Sequence, residues 1–246
     1  MRVFCNSLLP VPWQQAPEFN SSRLSLFLTD VSPHQASSAN LKLLLQPSEL
    51  IRGGRYYNPD DELRFLVGRA TLRLVLSKYL NQAPAEIILS GGGTQKPWLP
   101  AAPNLHFNLS HSGNRVLIGV FSQTLGVDIE EVKPAFDYQD IVQHSFSRAE
   151  QDRLRKGGID SRHLFYQSWT RKEALVKATA QGIGSNLRSI PCLDGLNEVS
   201  AEASAQPLGW TVSSIYVSAD YLAAVAYRPG RNTTPLSFFR FFPDFY

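Results

Sequence analysis

Each half of this 246-residue chain offers one long helical segment set among short strand-like runs. That pattern constrains the fold more than any other feature. A long helix with an apolar stripe must bury it, and the nearest partner is a sheet made from the flanking strands. The first helix has a sharp start. Asn58 precedes Pro59 at the first helical position, with Asp61 near the next turn, and the periodicity runs to about Leu80. Leu63, Leu66, Ala70, Leu74 and Tyr79 are expected inward. The second helix spans His163 to Gln181 and is closed by Gly182. Weaker helix signals lie at Asn40 to Leu50 and after Ser147, where Glu150 three residues on makes a capping-box pattern.

Strand-like runs occur at Ser22 to Leu28, Glu86 to Leu89, Leu105 to Leu109 and Val116 to Phe121, the last two flanking the turn Ser112-Gly113-Asn114. Others lie at Gly126 to Val132, Trp210 to Val217 and Tyr221 to Tyr227, with a short one near Ser237. Ser90 to Pro103 reads as loop. The expected fold is α+β and pseudo-duplicated, each half a small antiparallel sheet with a long helix. The expected division is 1–124 and 125–246. Fixed-period repeats are absent.

Charge and cysteine content exclude several classes. The formal net charge is only +3, which suits an anionic ligand or acidic partner without demanding either. The two cysteines, Cys5 and Cys192, have no CxxC or zinc-like spacing, so a disulfide scaffold and a zinc ribbon are not expected. Met1 to Trp13 is broken by Pro10 and Pro12 and does not read as a signal peptide. No run reaches the length of a membrane span. The expectation is a cytoplasmic protein with no membrane and no nucleic acid partner.

Three constellations could carry chemistry. In Gly126-Val127-Asp128-Ile129-Glu130, the two-residue period of a strand puts both carboxylates on one face, with Val127 and Ile129 toward the core. Such a pair either faces solvent or shares a hard cation such as Mg²⁺. Glu131 would lie on the face opposite Glu130. In Trp169 to Lys177, spacing by four aligns Trp169, Glu173 and Lys177. Glu173 and Lys177 could form an ordinary surface pair, but the tryptophan on the same stripe argues for partial burial and hence for a site. In Phe107 to Gly113, a strand end turns through Ser110, His111 and Ser112, a setting that suits a phosphate. Ser110 and His111 are strand neighbours that point apart, which argues against a Ser–His catalytic pair. Arg52, Arg55, Arg64 and Lys96 are each ordinary solvated charges, but as a set they could bind several phosphates.

Taken together and in order, these motifs resemble the Sfp-type 4'-phosphopantetheinyl transferases. The marks are Phe107 to Ser112, Gly126 to Glu130, Phe146 to Glu150 and Trp169 to Lys177, and the likeness extends upstream to Arg55-Tyr56-Tyr57, Arg64 and Lys96-Pro97. The resemblance implies the two-half fold of that family with coenzyme A bound between the halves. It implies Asp128, Glu130 and Glu173 as ligands of Mg²⁺, or of Mn²⁺ in its place. It implies Lys172 and Lys177 as contacts near the scissile pyrophosphate, and Ser110 and His111 as contacts to the phosphates of the adenosine portion. Lys96, Arg64, Arg55 and Arg52 would line the nucleotide's path. Glu150 has two readings, a helix cap or an acid beside the metal.

The implied reaction moves the phosphopantetheine arm of coenzyme A to a serine of an acyl or peptidyl carrier protein and releases adenosine 3',5'-bisphosphate. Lys177 would steady the leaving phosphate, and Glu173 would take the serine proton, directly or through a metal-bound water. Carrier proteins are acidic around their reactive serine, and two halves in one chain make a monomer self-sufficient. The aromatic tail, Phe238 to Tyr246, reads as cover for the core or a loose terminus, with partner docking as the other reading. Other enzyme readings are a magnesium-dependent nucleotide hydrolase or nucleotidyl transferase, although Gly91 to Lys96 does not form a Walker loop. A non-catalytic nucleotide- or carrier-binding module would keep the basic residues without needing the three acids.

Overall fold

The computed structural model describes residues 2–8, 14, 19–36, 38–92, 95–180, 186–198, 209–229 and 235–242. In chain order the elements begin with β1 (Arg2–Leu8), β2 (Leu24–Asp30), α1 (Ser38–Leu43), α2 (Pro47–Gly53) and α3 (Pro59–Leu80). Next come β3 (Ser90–Gly92), β4 (Gln95–Trp98), β5 (His106–Ser112), β6 (Arg115–Phe121) and β7 (Leu125–Glu131). Then follow α4 (Gln139–Ser145), α5 (Arg148–Lys156), α6 (Ser161–Thr179), β8 (Gly195–Glu198), β9 (Trp210–Ser218), β10 (Tyr221–Tyr227) and β11 (Leu236–Arg240).

The duplication is visible in the topology. One unit runs β2, short helices, the long α3, then the hairpin β5–β6, and its sheet pairs in the order β11-β2-β6-β5. The other runs β7, short helices, the long α6, then the hairpin β9–β10, with the order β7-β10-β9-β1-β8. In both, the first strand pairs with the last strand of the hairpin rather than with its nearest neighbour in sequence. Those pairings are antiparallel: Leu26 faces Gly119 in one unit and Asp128 faces Ala224 in the other.

The terminal strands correct the expected division at 124/125. β1 lies parallel to β9, Cys5 facing Val212, and β11 lies parallel to β2, Phe239 facing Phe27. The units therefore exchange their ends. The cause is packing: Val3 and Cys5 are fully buried in the α6-side core, and Phe239 stacks on Phe27 at 5.4 Å in the core under α3. The described part of the aromatic tail is thus core cover, while 243–246 lie outside the described residues. Other expectations also change. Glu86 to Leu89 is not a strand, because the chain turns at Pro84–Glu86 and the carbonyls of Pro84 and Ile87 accept from the buried Arg73. The segment Ser90 to Pro103 contains β3 and β4 instead of only loop. β1 and β8, which carry no strong alternation, were not expected as strands.

Helix α3 starts as its sequence dictates. The Asn58 side chain accepts from the backbone N–H of Asp60 at 2.9 Å, Pro59 sits in the first turn, and Asp60, Asp61 and Glu62 complement the helix dipole. It ends at Asn81 in the left-handed conformation. Leu66 and Ala70 are buried as expected, whereas Leu63, Leu74 and Tyr79 are only partly so. The buried surface also takes in Phe65, Val67, Leu72, Val75 and Leu76. Helix α6 spans Ser161 to Thr179 and stops at Ala180 in the left-handed region; the expected end at Gln181 and Gly182 lies outside the described residues. No helix among the described residues is long and apolar enough to cross a membrane.

Helix α6 seats very tightly on its sheet. A Cβ at Gly126 would lie 2.2 Å from the carbonyl oxygen of Ala174 and 2.4 Å from the amide nitrogen of Ala178. The facing surfaces are small: Ala224 and Ala226 on β10, Ala174 and Ala178 on the helix, all buried. Small residues on both sides let backbone approach backbone, which fixes both the depth and the register of α6. Gly126→Ala should therefore displace the helix and cost about 1–3 kcal/mol of stability, at the upper end because the clash is with main chain. A urea melt measures this, and a variant as stable as the native protein would show that the helix is free to shift.

Candidate active site

The tight seating of α6 brings its polar stripe onto β7. Gly126, Asp128 and Glu130 share the helix-facing side of the strand, as alternation requires. Val127 and Ile129, on the other side, are fully buried, so this edge strand is covered on both faces along its first five residues. Asp128 is only 3% exposed. Its Oδ1 accepts from Lys177 Nζ at 2.7 Å. The spacing of four between Glu173 and Lys177 allowed a pair within the helix; Lys177 also reaches across to the strand carboxylate of Asp128.

Glu173 stands half-buried on the same stripe, next to partly buried Trp169 one turn earlier. Burial raises its carboxyl pKa first, the negative charge of Asp128 raises it further, and Lys177 opposes both. Two carboxylates and one ammonium therefore share a confined space, with Glu130 half-buried two residues beyond Asp128 on the strand. Glu131 projects from the opposite face, where its carboxylate accepts from the Tyr221 hydroxyl at 3.3 Å. Among the described residues no three His, Cys, Asp or Glu side chains stand close enough together to hold a metal ion. The expected cluster of Asp128, Glu130 and Glu173 is thus not closed, and an ammonium occupies the position of a cation on Asp128. The donor chemistry still suits a hard divalent ion, because all three groups are carboxylates.

Lys96 belongs to the same unit. Its Nζ donates to the carbonyl oxygen of Leu125, the first residue of β7, and burial pulls its pKa down to about 8. Lys172 is a correction. Expected at a phosphate, it is fully buried, with its ammonium 2.9 Å from Glu150 Oε2. It also donates to the carbonyls of Leu187 and Ile190 and lies over the Phe146 ring. Helical geometry explains why: Lys172 is adjacent to Glu173 and so leaves the helix about 100° around from it. Glu150 is likewise the cap and not a free acid. Its Oε2 accepts from Ser147 N–H at 2.8 Å, and its Oε1 accepts from Cys192 N–H at 3.1 Å and from the Cys192 thiol. Burial pushes both thiols upward, Cys5 to about 11. Neither is activated as a nucleophile.

The remaining candidates lie in the α3 unit. Ser110 is buried and His111 exposed on β5, so the two side chains leave opposite faces and do not converge on one group. Arg64 ties α3 to the β5–β6 turn: Nε donates to Gly113 O at 2.7 Å and Nη1 to Asp61. Arg52 and Arg55 are exposed at the end of α2, the Arg52 guanidinium lying 5.5 Å from the Phe65 ring centroid. Two buried arginines were missed by sequence reasoning. Arg73 donates to Glu49 Oε2 at 2.6 Å, and Arg171 donates to Ser214, Cys192 O and Asp194. Their signal was a charged residue at an inward helical position of an otherwise apolar face.

The chain is similar to known proteins along most of its length. Residues 124–226 match the model of the family described as the 4'-phosphopantetheinyl transferase superfamily, and residues 31–122 match that described as 4'-phosphopantetheinyl transferase, N-terminal. The 4'-phosphopantetheinyl transferase HetI of Nostoc sp. is 32% identical over 168 residues, which is 66% of this chain and 71% of that protein. Sfp of Bacillus subtilis is 31% identical over 156 residues, 63% of this chain and 69% of that protein. A relative from Synechocystis sp. is 36% identical over 151 residues but spans only 61% of that protein.

Lys172 tests the separation of structure from chemistry. Lys172→Ala leaves Glu150 as an uncompensated buried charge and should cost about 3–5 kcal/mol. A denaturant melt with Lys156→Ala alongside checks it: the variant of that exposed lysine should remain close to native stability, and equal stability of the two would return Lys172 to the solvent-facing group.

Proposed function

Because the chain belongs to the 4'-phosphopantetheinyl transferase superfamily, we propose that it moves the 4'-phosphopantetheine arm of coenzyme A to a serine of an acyl or peptidyl carrier protein. Adenosine 3',5'-bisphosphate is the other product. The observation that carries this reading is the convergence on Asp128: an ammonium at 2.7 Å and a carboxyl of raised pKa beside it, both on α6.

The chemistry requires a proton acceptor for the serine and positive charge where the pyrophosphate bond breaks. The carrier serine oxygen forms a bond to phosphorus as the bridging P–O bond breaks, and the electron pair leaves with the bisphosphate. Glu173 is the acceptor in this reading. Its raised pKa improves it as a base over an ordinary surface glutamate, and Asp128 helps to set that pKa. Lys177 stabilises charge on the departing phosphate, and Lys96 contacts a phosphate of coenzyme A. Arg52, Arg55, Arg64, Ser110 and His111 contribute contacts to the nucleotide portion. Asp128, Glu130 and Glu173 would hold Mg²⁺, or Mn²⁺, which supplies charge neutralisation to a pyrophosphate when bound.

Incubation of an apo carrier protein with this enzyme, coenzyme A and Mg²⁺ should add about 340 Da, the mass of one arm, and EDTA should suppress it. Mass spectrometry reads the result; no gain with carriers of several synthase types would leave nucleotide hydrolysis as the better reading. Asp128→Asn keeps the shape of the side chain but removes its charge. It should lower kcat/KM about 100-fold or more with little loss of stability, and near-native turnover would remove Asp128 from the site.

Lys96 makes a pH prediction. Burial depresses its pKa to about 8, and a bound phosphate would raise it by favouring the charged form. Affinity for coenzyme A is then fully present below the free-state value and falls as pH rises above about 8. Titration of KM for coenzyme A from neutral to alkaline pH, compared with Lys96→Met, checks this: the variant should lose the alkaline rise that the native enzyme shows.

A further inference from the structure

Lys177 differs from the two other lysines of this unit that stand near the acids. Lys172 is fully buried and bonded to Glu150 and to the carbonyls of Leu187 and Ile190. Lys96 is held by the carbonyl oxygen of Leu125. Lys177 pairs with Asp128 at 2.7 Å, yet 29% of its side chain is exposed against 4% for the aspartate. One partner is committed to the interior and the other is not. The backbone beneath the pair is fixed. A Cβ on Gly126, two residues before Asp128, would lie 2.9 Å from the main-chain carbonyl carbon of Lys177. Helix α6 therefore cannot slide to part the two groups. The ammonium leaves Asp128 only by turning its flexible four-carbon stem, which the helix position does not restrict. Glu173, one turn earlier, and Glu130, two residues along the strand, are half-buried on the same side. A movable cation thus rests on carboxylates whose chemistry also suits a divalent ion.

A buried carboxylate needs a positive partner, and here an ammonium supplies it. That ammonium also repels any divalent ion approaching the same carboxylate. We propose that Lys177 is an internal counter-ion that competes with the metal for Asp128, and that it yields the carboxylate when a pyrophosphate draws the ammonium away, so that coenzyme A and the metal bind as a coupled pair. This rests on the transferase reading above and adds a regulatory role for Lys177 before any chemistry occurs. Linkage makes the coupling reciprocal: coenzyme A tightens the metal by the factor with which the metal tightens coenzyme A. Lys177 supplies part of that factor, because moving from carboxylate to phosphate removes a repulsion and gains an attraction. The proposal has a sign that a merely structural lysine does not share. Removing Lys177 strengthens metal binding in the absence of coenzyme A, whereas damage to the site weakens it. It also leaves Asp128 buried without this cation, so a metal ion stabilises the variant more than the native fold.

The test is Mn²⁺ binding to the full chain, read from the electron paramagnetic resonance signal of the free ion. Native protein is compared with Lys177→Met, with the charge-keeping Lys177→Arg, and with Lys156→Met as a control for the loss of any exposed lysine of this unit. Circular dichroism establishes that each variant folds, and Lys177→Gln serves if the methionine variant does not. Without coenzyme A, Lys177→Met should bind Mn²⁺ about tenfold more tightly than the native protein, while Lys177→Arg and Lys156→Met stay within about threefold of it. Thermal melts with and without Mn²⁺ should show the larger upward shift for Lys177→Met. At saturating coenzyme A the native protein should gain more metal affinity than the methionine variant does. Equal Mn²⁺ affinity of native and Lys177→Met, weaker binding by that variant, or an equal gain in Lys156→Met overturns the proposal. Absence of Mn²⁺ binding in every variant, with coenzyme A present, overturns it together with the metal assignment. An apo carrier protein incubated in parallel with the native enzyme, coenzyme A and Mg²⁺ separates the readings. Transfer without the Lys177 effect sinks only the competition, whereas absence of transfer sinks the enzyme assignment and the coupling with it.

Discussion

In each unit a glutamate in the first turn of a short helix also neutralises a cation buried on the long helix that follows. Glu49 of α2 accepts from the backbone of Gln46 and from Arg73 and Arg69 of α3. Glu150 of α5 accepts from the backbone of Ser147 and from Lys172 of α6. A capping carboxylate is already held in place by the helix it starts, so little side-chain freedom is lost in also meeting a buried ammonium or guanidinium. The interaction locks the short helix, the long helix and the chain between them. Breaking either partner strands a charge in the core, which makes the arrangement specific even though a well-packed apolar replacement could be as stable.

That lock has a consequence for the chemistry in the α6 unit. Lys172 points inward to Glu150, which turns the adjacent Glu173 and, one turn on, Lys177 toward β7. Gly126 and the alanines on both surfaces then set the distance. The same helix thus carries a structural cation and a functional acid in successive positions, separated only by the rotation of one residue. Arg171, next to Lys172, fills a third direction and ties the helix to β9 and to the Cys192 segment.

Much of this was legible in residue order. The start of α3 is written in Asn58-Pro59 and its acidic first turn, and the cap of α5 in Ser147 and Glu150, because caps are local interactions over a few residues. The common face of Asp128 and Glu130 follows from strand alternation alone. Lys172 was misread because a lysine between polar neighbours normally faces water, and nothing local announces that a glutamate twenty-two residues earlier will take its ammonium. Strand β1 was missed because its role lies in pairing with β9, near the other end of the chain.

Local sequence determined the elements, their order and the family motifs: periodicity, caps and the spacing of acids and lysines depend on neighbours within a few turns. Only the tertiary structure decided which charges are structural and which are available. Burial is a property of what packs from far away in sequence, as with the exchange of β1 and β11 between units and the seating of α6 on Gly126. The electrostatic consequence of a carboxylate or an ammonium depends on that burial more than on the residue type, since removal from water is what shifts Glu173 upward and Lys96 downward.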